Sequence, residues 1–495
     1  MTISTGRVQG PTLGFLVAKE KAINRFVPKP FWELKAYINL NGSLEAKYEN
    51  KIIKTKSEAT AVINKCKGKD GQVEKIDIKQ FSKMPPTPFN LGTLQNEAYT
   101  LFGYLPRYTL NIVQHLYLEA LISYPRTDSQ KLPPTINFTK ILRNLSKTPE
   151  YRRYSIELLK RKKLSPHNGK KDDPAHPAIY PTGNVPEKNL LSSEKKVLDL
   201  IIRRFMAVFG KPTIKKSIKV TININKNRFH LNGIQTLNEG WQFFYKPYIR
   251  SVDILLPQLE VGQTVKVLSI VSNEKFTKPP SRYNPSSLLK RMEEKGIGTK
   301  STRTGIIQTL YNRKYITHEK MVVTDLGMKV FEILKKYCPI VVSIKLTSSL
   351  EEKMKKIREK NEKREIILKN VIVTLDSFIY TFKQNEKKIG EKLSSAIKKF
   401  TLENRVIGPC PVCITGKIII QYSKKTGKRF IGCTNYFEKK CTTSFSLPQK
   451  GAIKPHTKKC HKCGWPTVRI ETKRKIQWIL CFNPVCSRNK KKRNT

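Results

Sequence analysis

Eight of the ten cysteines in this chain lie between residues 410 and 486, in two sets of four, and that spacing leaves its C-terminal part few folds to choose from. Cys410-Pro-Val-Cys413 is followed by Cys433 and Cys441, and Cys460-His-Lys-Cys463 by Cys481 and Cys486. In each set a Cys-x-x-Cys turn supplies two thiolates and a later strand pair supplies two more. Tetrahedral Zn²⁺ takes that ligand set in a closed, structural site with no position left for water. The clustering speaks for metal over disulfides, and the spacings do not suggest an iron–sulfur cluster. Two zinc ribbons are predicted, over 405–450 and 455–490, with His456 and His461 surplus. Cys66 and Cys338 stand alone and read as ordinary buried thiols. Aromatic and basic residues interleave in both ribbons (Tyr422, Arg429, Phe430, Tyr436; Trp465, Arg469, Trp478). They suit stacking on single-stranded bases and, equally, the small cores of the ribbons.

Upstream of the ribbons, charge and periodicity set the bounds. Lys+Arg 95 against Asp+Glu 38 gives a net charge of +57 on a chain with 38% hydrophobic residues. A disordered basic tail lacks that apolar content, so the chain reads as several folded domains with a polyanionic partner. No run of about 18 apolar residues is present to span a membrane. No apolar leader follows Met1, so a cytoplasmic protein is expected. From Leu34 to about Ser82, and again from 215 to 270, polar and apolar residues alternate as in strands. Leu94, Ala98 and Leu101, then Leu110, Val113 and Leu116, predict two packed helices joined by a turn at Gly103–Pro106. A further helix over Glu194–Phe209 places Arg203 and Arg204 on a basic outer face. An amphipathic helix is expected from the Ser4–Val17 stretch to about Arg25, and a Lys/Glu-rich helical connector over 350–400.

The chemistry concentrates in Leu121-Ile-Ser-Tyr-Pro-Arg-Thr-Asp-Ser129. A tyrosine oxygen can attack phosphorus and hold it as an ester, splitting one hard step into two. Arg126, two residues on, can grip phosphate oxygens bidentately and stabilise charge as it builds. Pro125 biases Tyr124 away from the α region, to a break in the chain. Elsewhere, Gly296 and Gly298 allow close backbone approach, and Thr299, Lys300, Ser301, Thr302 and Arg303 supply donors before a new helix, which suits a phosphate backbone. Arg7 and Gln9 sit at the start of the first helix, where free N–H groups also favour phosphate.

These nine residues resemble the active-site tyrosine motif of the type IA DNA topoisomerases. The resemblance runs from about Ser4 to Ile357. Gly6-Arg-Val-Gln9, Phe26–Glu33, Pro88–Ala98, Asp173–Thr182, the Met292–Thr299 segment, Leu310–Ile316 and Thr324–Gly327 stand in the family's order. It implies a mixed α and β multidomain fold of the family's gate and toroid type: helix-turn-helix-like helical domains plus a strand-rich gate domain, then the ribbons. The implied division is 1–33 and 282–400 for a DNA-binding helical domain, 34–84 and 215–281 for the gate domain, and 85–214 for the helical domain carrying the tyrosine.

By the same resemblance Tyr124 cuts one DNA strand and holds its 5′ phosphate, with Arg126 and His176 at the site. Arg7, Gln9, Thr127, Asp128, Ser129 and the Thr299–Arg303 segment would contact DNA, single-stranded regions above all. Pro177 and Tyr180 replace a Glu and an Arg common in the family, as in archaeal members. The family also holds Mg²⁺ on carboxylates of a Toprim domain that precedes the Gly-Arg-Val-Gln segment. No such cluster is expected here, and Asp128, Asp172 and Asp173 are weak substitutes. The expectation is a chromosome-associated topoisomerase core, either the large subunit of a split enzyme or a truncated fragment, served by a Toprim domain on another polypeptide. The alternative is a non-catalytic single-strand binder on the same scaffold, with the topoisomerase part of a reverse gyrase a weaker third.

Overall fold

Gly10 decides how deeply the first helix can sink into its neighbours. In the computed structural model, residues 2–186, 189–358, 364–436, 438, 440–456, 458–472 and 477–490 are described, and α1 spans Gln9–Asn24. A Cβ on Gly10 would lie 2.5 Å from the Val341 carbonyl oxygen. The helix therefore buries Gln9 through Leu13 without a break, then Phe15, Leu16, Val17 and Glu20. It starts later than the periodicity suggests and is embedded, not amphipathic at its N-terminal half.

The two strand-rich stretches close into one barrel. β1 (Pro30–Asn39), β2 (Ser43–Tyr48) and β3 (Gly71–Lys83) come from the first, and β4 (Thr213–Ile224), β5 (Asn227–Asn238) and β6 (Thr264–Phe276) from the second. The order around the barrel is β1-β2-β5-β4-β3-β6, every pair antiparallel. Alternation puts Leu34, Ala36 and Ile38, Val220, Ile222 and Ile224, and Phe229 and Leu231 inside, as the two-residue strand period requires. The β1–β2 turn uses Asn41 and Gly42 at positive φ, which those residue types tolerate. Closure leaves no free edge strand to pair with another chain. One helix, α2 (Lys56–Cys66), interrupts the strand text. Thr55 caps it through the Glu58 N–H at 3.2 Å. It buries only Ala59 and Cys66, too sparse a stripe for hydrophobic periodicity to reveal.

Between its two passes through the barrel the chain builds a helical body: α3 (Leu91–Phe102), α4 (Pro106–Leu118), α5 (Phe138–Leu145), α6 (Pro149–Leu159) and α7 (Ser192–Ala207), joined by α8 (Gln242–Tyr245). Asn90 and Thr93 form a capping box at the start of α3, and Gly103 ends it at φ 72°, the stop and start signals that delimit such helices. Pro106 opens α4. The basic outer face expected on α7 is absent. Arg203 and Arg204 are each only 9% exposed, because Tyr151 and Tyr154 of α6 cover Arg203 and Tyr245 of α8 covers Arg204. Arg203 bonds Asp199. Arg204 bonds Glu97 and Tyr245 and lies 4.1 Å from the Phe89 ring centroid. Paired this way, two guanidiniums can be buried.

The second helical body gathers α1 with α9 (Pro285–Glu294), α10 (Arg303–Asn312), the small hairpin β7 (Ile316–Thr317) and β8 (Val322–Val323), α11 (Asp325–Tyr337), α12 (Ile344–Arg358) and α13 (Arg364–Glu403). Leu13, Leu16, Leu288, Met292, Leu310 and Tyr315 are its centre. The ribbons follow: β9 (Val406–Pro409), β10 (Lys417–Tyr422), β11 (Arg429–Cys433) and β12 (Ser444–Ser446) in one sheet, β13 (Ala452–His456), β14 (Thr467–Glu471) and β15 (Gln477–Cys481) in the other.

Phe89 is fully buried beneath Arg204 at the base of the first helical body. Phe89→Ala should cost about 3–5 kcal/mol, measured by urea unfolding, whereas Val27→Ala at an exposed position should stay within about 0.5 kcal/mol.

Candidate functional site

The Tyr124 loop exists because two segments far apart in sequence hydrogen-bond along their backbones. After α4, Ala120 takes a positive φ of 51° and turns the chain back. Residues 121–123 then run against 180–182. Ile122 pairs with Pro181, the Ser123 N–H donates to the Tyr180 carbonyl at 2.9 Å, and the Thr182 N–H to the Leu121 carbonyl at 3.0 Å. The Tyr180 N–H donates to Ser123 Oγ at 3.0 Å. Further along, Thr127 Oγ1 donates to the His176 carbonyl at 3.1 Å, and the Leu91 N–H donates to the Thr127 carbonyl at 3.1 Å. Asn90 Nδ2 donates to the Asp128 carbonyl at 3.1 Å. The start of α3 thus braces the loop from below.

This seam brings Tyr124 and His176 together. Their ring centroids are 4.4 Å apart, and the Tyr117 ring meets Tyr124 edge-on at 5.4 Å. The phenol is therefore held on two sides, yet the residue is only half-buried. Arg126 carries a buried Nε with no hydrogen-bond partner among the described residues. A buried donor left unpaired costs free energy. Thr127 and Ser129, expected as DNA contacts, are buried framework: Thr127 Oγ1 accepts from the Ser129 N–H at 3.0 Å and Ser129 Oγ from the Lys131 N–H at 3.1 Å. Burial pushes the Tyr180 phenol above its ordinary value, and its backbone, not its ring, serves the seam.

The Thr299–Arg303 segment stands across from this loop, at the N-terminus of α10. Gly296 and Gly298 both take positive φ. The hydroxyls of Thr299, Ser301 and Thr302 lie 3.1 Å from one another in the two pairs that share Thr299. Lys300 reaches over to pair with Asp173. Arg303 turns inward, its Nε donating to the Ile297 carbonyl at 3.1 Å, and burial holds its pKa below the ordinary value. Arg7 is exposed and pairs with Glu351 at 3.1 Å, farther along the second helical body. Gln9 is buried and holds the N-terminal turn through the Ser4 carbonyl at 3.0 Å. Sequence reasoning did not single out Tyr117, whose place on a helix looks like ordinary packing, nor the pairing of Asp173 with Lys300.

Residues 1–369 match the family described as DNA topoisomerase. The DNA topoisomerase 1 of Pyrococcus horikoshii is 43% identical over 490 residues, covering 98% of this chain and 71% of the relative. That of Methanothermobacter thermautotrophicus is 39% identical over 488 residues, covering 99% of this chain and 66% of the relative. Full-length topoisomerase I from Thermotoga maritima superposes with a TM-score of 0.62 at 25% identity, over 91% of this chain and 71% of that one. The chain belongs to the type IA DNA topoisomerases. It spans about two thirds of the length of these relatives. Like them it is a DNA topoisomerase in sequence and fold, and among the described residues no helix is long and apolar enough to cross a membrane.

Two cysteine sets in the ribbons of this chain could each hold a metal ion. In each set the four Sγ atoms lie within 4.8 Å of one another. Cys410 and Cys441 are 3.9 Å apart, Cys413 and Cys433 3.6 Å, Cys460 and Cys486 3.9 Å, Cys463 and Cys481 3.5 Å. Four sulfurs at about 2.3 Å from one Zn²⁺ stand ~3.8 Å apart in a tetrahedron, so both sets fit the ion. All ten cysteines are free of disulfides. A hydrogen bond from Thr443 draws the Cys441 thiol down to about 7, toward the thiolate that binds metal. The ribbon aromatics differ in burial. Trp465 packs with Phe445 and Phe482 at 5.3 and 5.9 Å in a core that both ribbons share, while Tyr422 and Tyr436 are exposed. Elemental analysis should find two Zn²⁺ per chain and Cys413→Ser should retain one, with the loss confined to the first site.

Proposed function

We propose that this chain is the strand-cutting core of a type IA DNA topoisomerase and relaxes negatively supercoiled DNA through a phosphotyrosine at Tyr124. The observation that supports this best is the half-buried Tyr124 phenol against His176, two residues ahead of an unpaired, buried Arg126 Nε. Tyr124 Oη attacks the scissile phosphorus as its proton leaves, and the His176 imidazole lies close enough to hold or move a proton there. The P–O bond to the 3′ oxygen breaks, that oxygen takes up a proton and leaves as a hydroxyl, and the 5′ phosphate stays on Tyr124. Arg126 binds the non-bridging oxygens and stabilises the charge that builds on them. After the other strand passes, the 3′ hydroxyl attacks the phosphotyrosine and restores both partners. The ester conserves the bond energy, so no nucleotide is consumed.

Arg7 and the Thr299–Arg303 segment contact the strand backbone, Lys300 as a phosphate ligand. Gln9 supports the Arg7 turn from inside. Mg²⁺ does not fit the residues described: the converging metal-capable sets among them are the two cysteine sets, and neither contains a carboxylate. The acidic metal site would be supplied by a Toprim domain outside these 495 residues. The test is relaxation of negatively supercoiled plasmid in Mg²⁺, with the 495-residue chain alone and with an added Toprim polypeptide. Relaxation is expected only with both. Tyr124→Phe should lower it by at least about 1000-fold and Arg126→Ala by about 100-fold, both with DNA binding kept. Relaxation by the chain alone would overturn the external metal site, and tight single-strand binding without relaxation in any arm would make the chain a binding protein.

A further inference from the structure

We propose that Asp173 is a positioning residue that ties the nucleophile loop to Lys300, and that a DNA phosphate takes Lys300 from it when a strand binds. This rests on the reading of Tyr124 as nucleophile and Lys300 as a phosphate ligand. The Asp173 side chain is 9% exposed and gathers three donors. Its Oδ2 accepts from the Asp128 N–H at 3.2 Å and from Lys300 Nζ, and its Oδ1 accepts from the Ala175 N–H at 3.1 Å. Asp128 follows Arg126 by two residues, and Ala175 directly precedes His176. One carboxylate is therefore fastened to both halves of the site. Lys300 arrives from the other helical body, so the ion pair spans the seam between them, and Lys171 with Glu293 bridges the same seam. Burial works against the Asp173 charge, but Lys300 and the two N–H donors outweigh it and hold its pKa below the ordinary value.

An acid at this place calls for a reason in a chain with 95 basic and 38 acidic residues. It repels phosphate and occupies a lysine aimed at the strand. Neutralising Lys300 in the free protein keeps the two bodies in register, and a phosphate that replaces Asp173 loosens the seam only where a strand is bound. After the exchange Lys300 stays paired, and Asp173 keeps the Asp128 and Ala175 N–H groups as donors.

Asp173→Asn, Lys300→Met and the double variant separate this role from a merely structural one. Anisotropy of a labelled single-stranded oligonucleotide, in a Tyr124→Phe background, reads binding without cleavage. Asp173→Asn is expected to tighten binding 3- to 10-fold by freeing Lys300, Lys300→Met to weaken it by a similar factor, and the gain from Asn to vanish in the double variant. With Tyr124 intact and Toprim polypeptide present, Asp173→Asn should form covalent adduct several-fold more slowly at saturating DNA, a loss in rate despite better binding. Weaker or unchanged binding in Asp173→Asn would overturn the exchange, as would a gain that survives in the double variant. If Asp173→Asn does not fold, hydrogen exchange of Lys300→Met decides. Faster exchange at the Asp128 and Ala175 amides is expected, and unchanged rates contradict the tether. Failure of wild-type adduct formation would instead sink the nucleophile reading, leaving the binding arm to judge the exchange by itself.

Discussion

Everything at the candidate site depends on the backbone hydrogen bonds between residues 121–123 and 180–182 and on the Thr127 side chain that reaches the His176 carbonyl. Without them Tyr124 and His176, 52 positions apart, have no reason to meet. The seam is built from main-chain groups and buried hydroxyls, which must be paired when water is excluded. Tyr124, half-buried between Tyr117 and His176, makes no hydrogen bond that the seam depends on. That division explains how a segment with Thr127 and Ser129 buried can still leave a phenol partly exposed between them and α4.

The barrel gives this seam its frame. β3 leads out of the barrel into the first helical body and β4 leads back, and the two strands pair along most of their length. The chain is therefore clamped at the exit and return points of the body that carries Tyr124. At the far side, the second helical body meets it through ion pairs such as Asp173–Lys300 and Lys171–Glu293. Polar seams of this kind separate at lower cost than apolar ones, because water can solvate both faces.

Much of the fold was legible in the sequence, for identifiable reasons. The α3–α4 pair was marked by Gly103, Pro106 and a regular apolar stripe, and the ribbons by cysteine spacing. What escaped was tertiary. The α2 helix hides among strands because only two of its side chains are buried. Arg203 and Arg204 look like solvent-facing charge until Tyr151 and Tyr154 pack on Arg203, and Glu97 and Tyr245 meet Arg204, from other parts of the chain. Periodicity cannot show that α1 is enclosed, since closeness to Val341 is set by a contact more than 300 residues away. At the site, Tyr124, Arg126 and His176 could be named from motif text. The second phenol, Tyr117, could not, because a helical tyrosine seven positions earlier carries no signal of its own. Thr127 and Ser129 were named for DNA, but hydroxyls beside a nucleophile can serve the loop as readily as the ligand.

The central claim is that this seam presents Tyr124, and no other phenol, to the DNA backbone. The most direct measurement is to quench the chain with single-stranded DNA, Mg²⁺ and a Toprim polypeptide under denaturing conditions, digest both polymers, and map the nucleotide-bearing peptide by mass spectrometry. The added mass is predicted on Tyr124. Its appearance on Tyr117, whose ring lies 5.4 Å away, or the absence of any adduct under conditions that relax plasmid, would contradict the account.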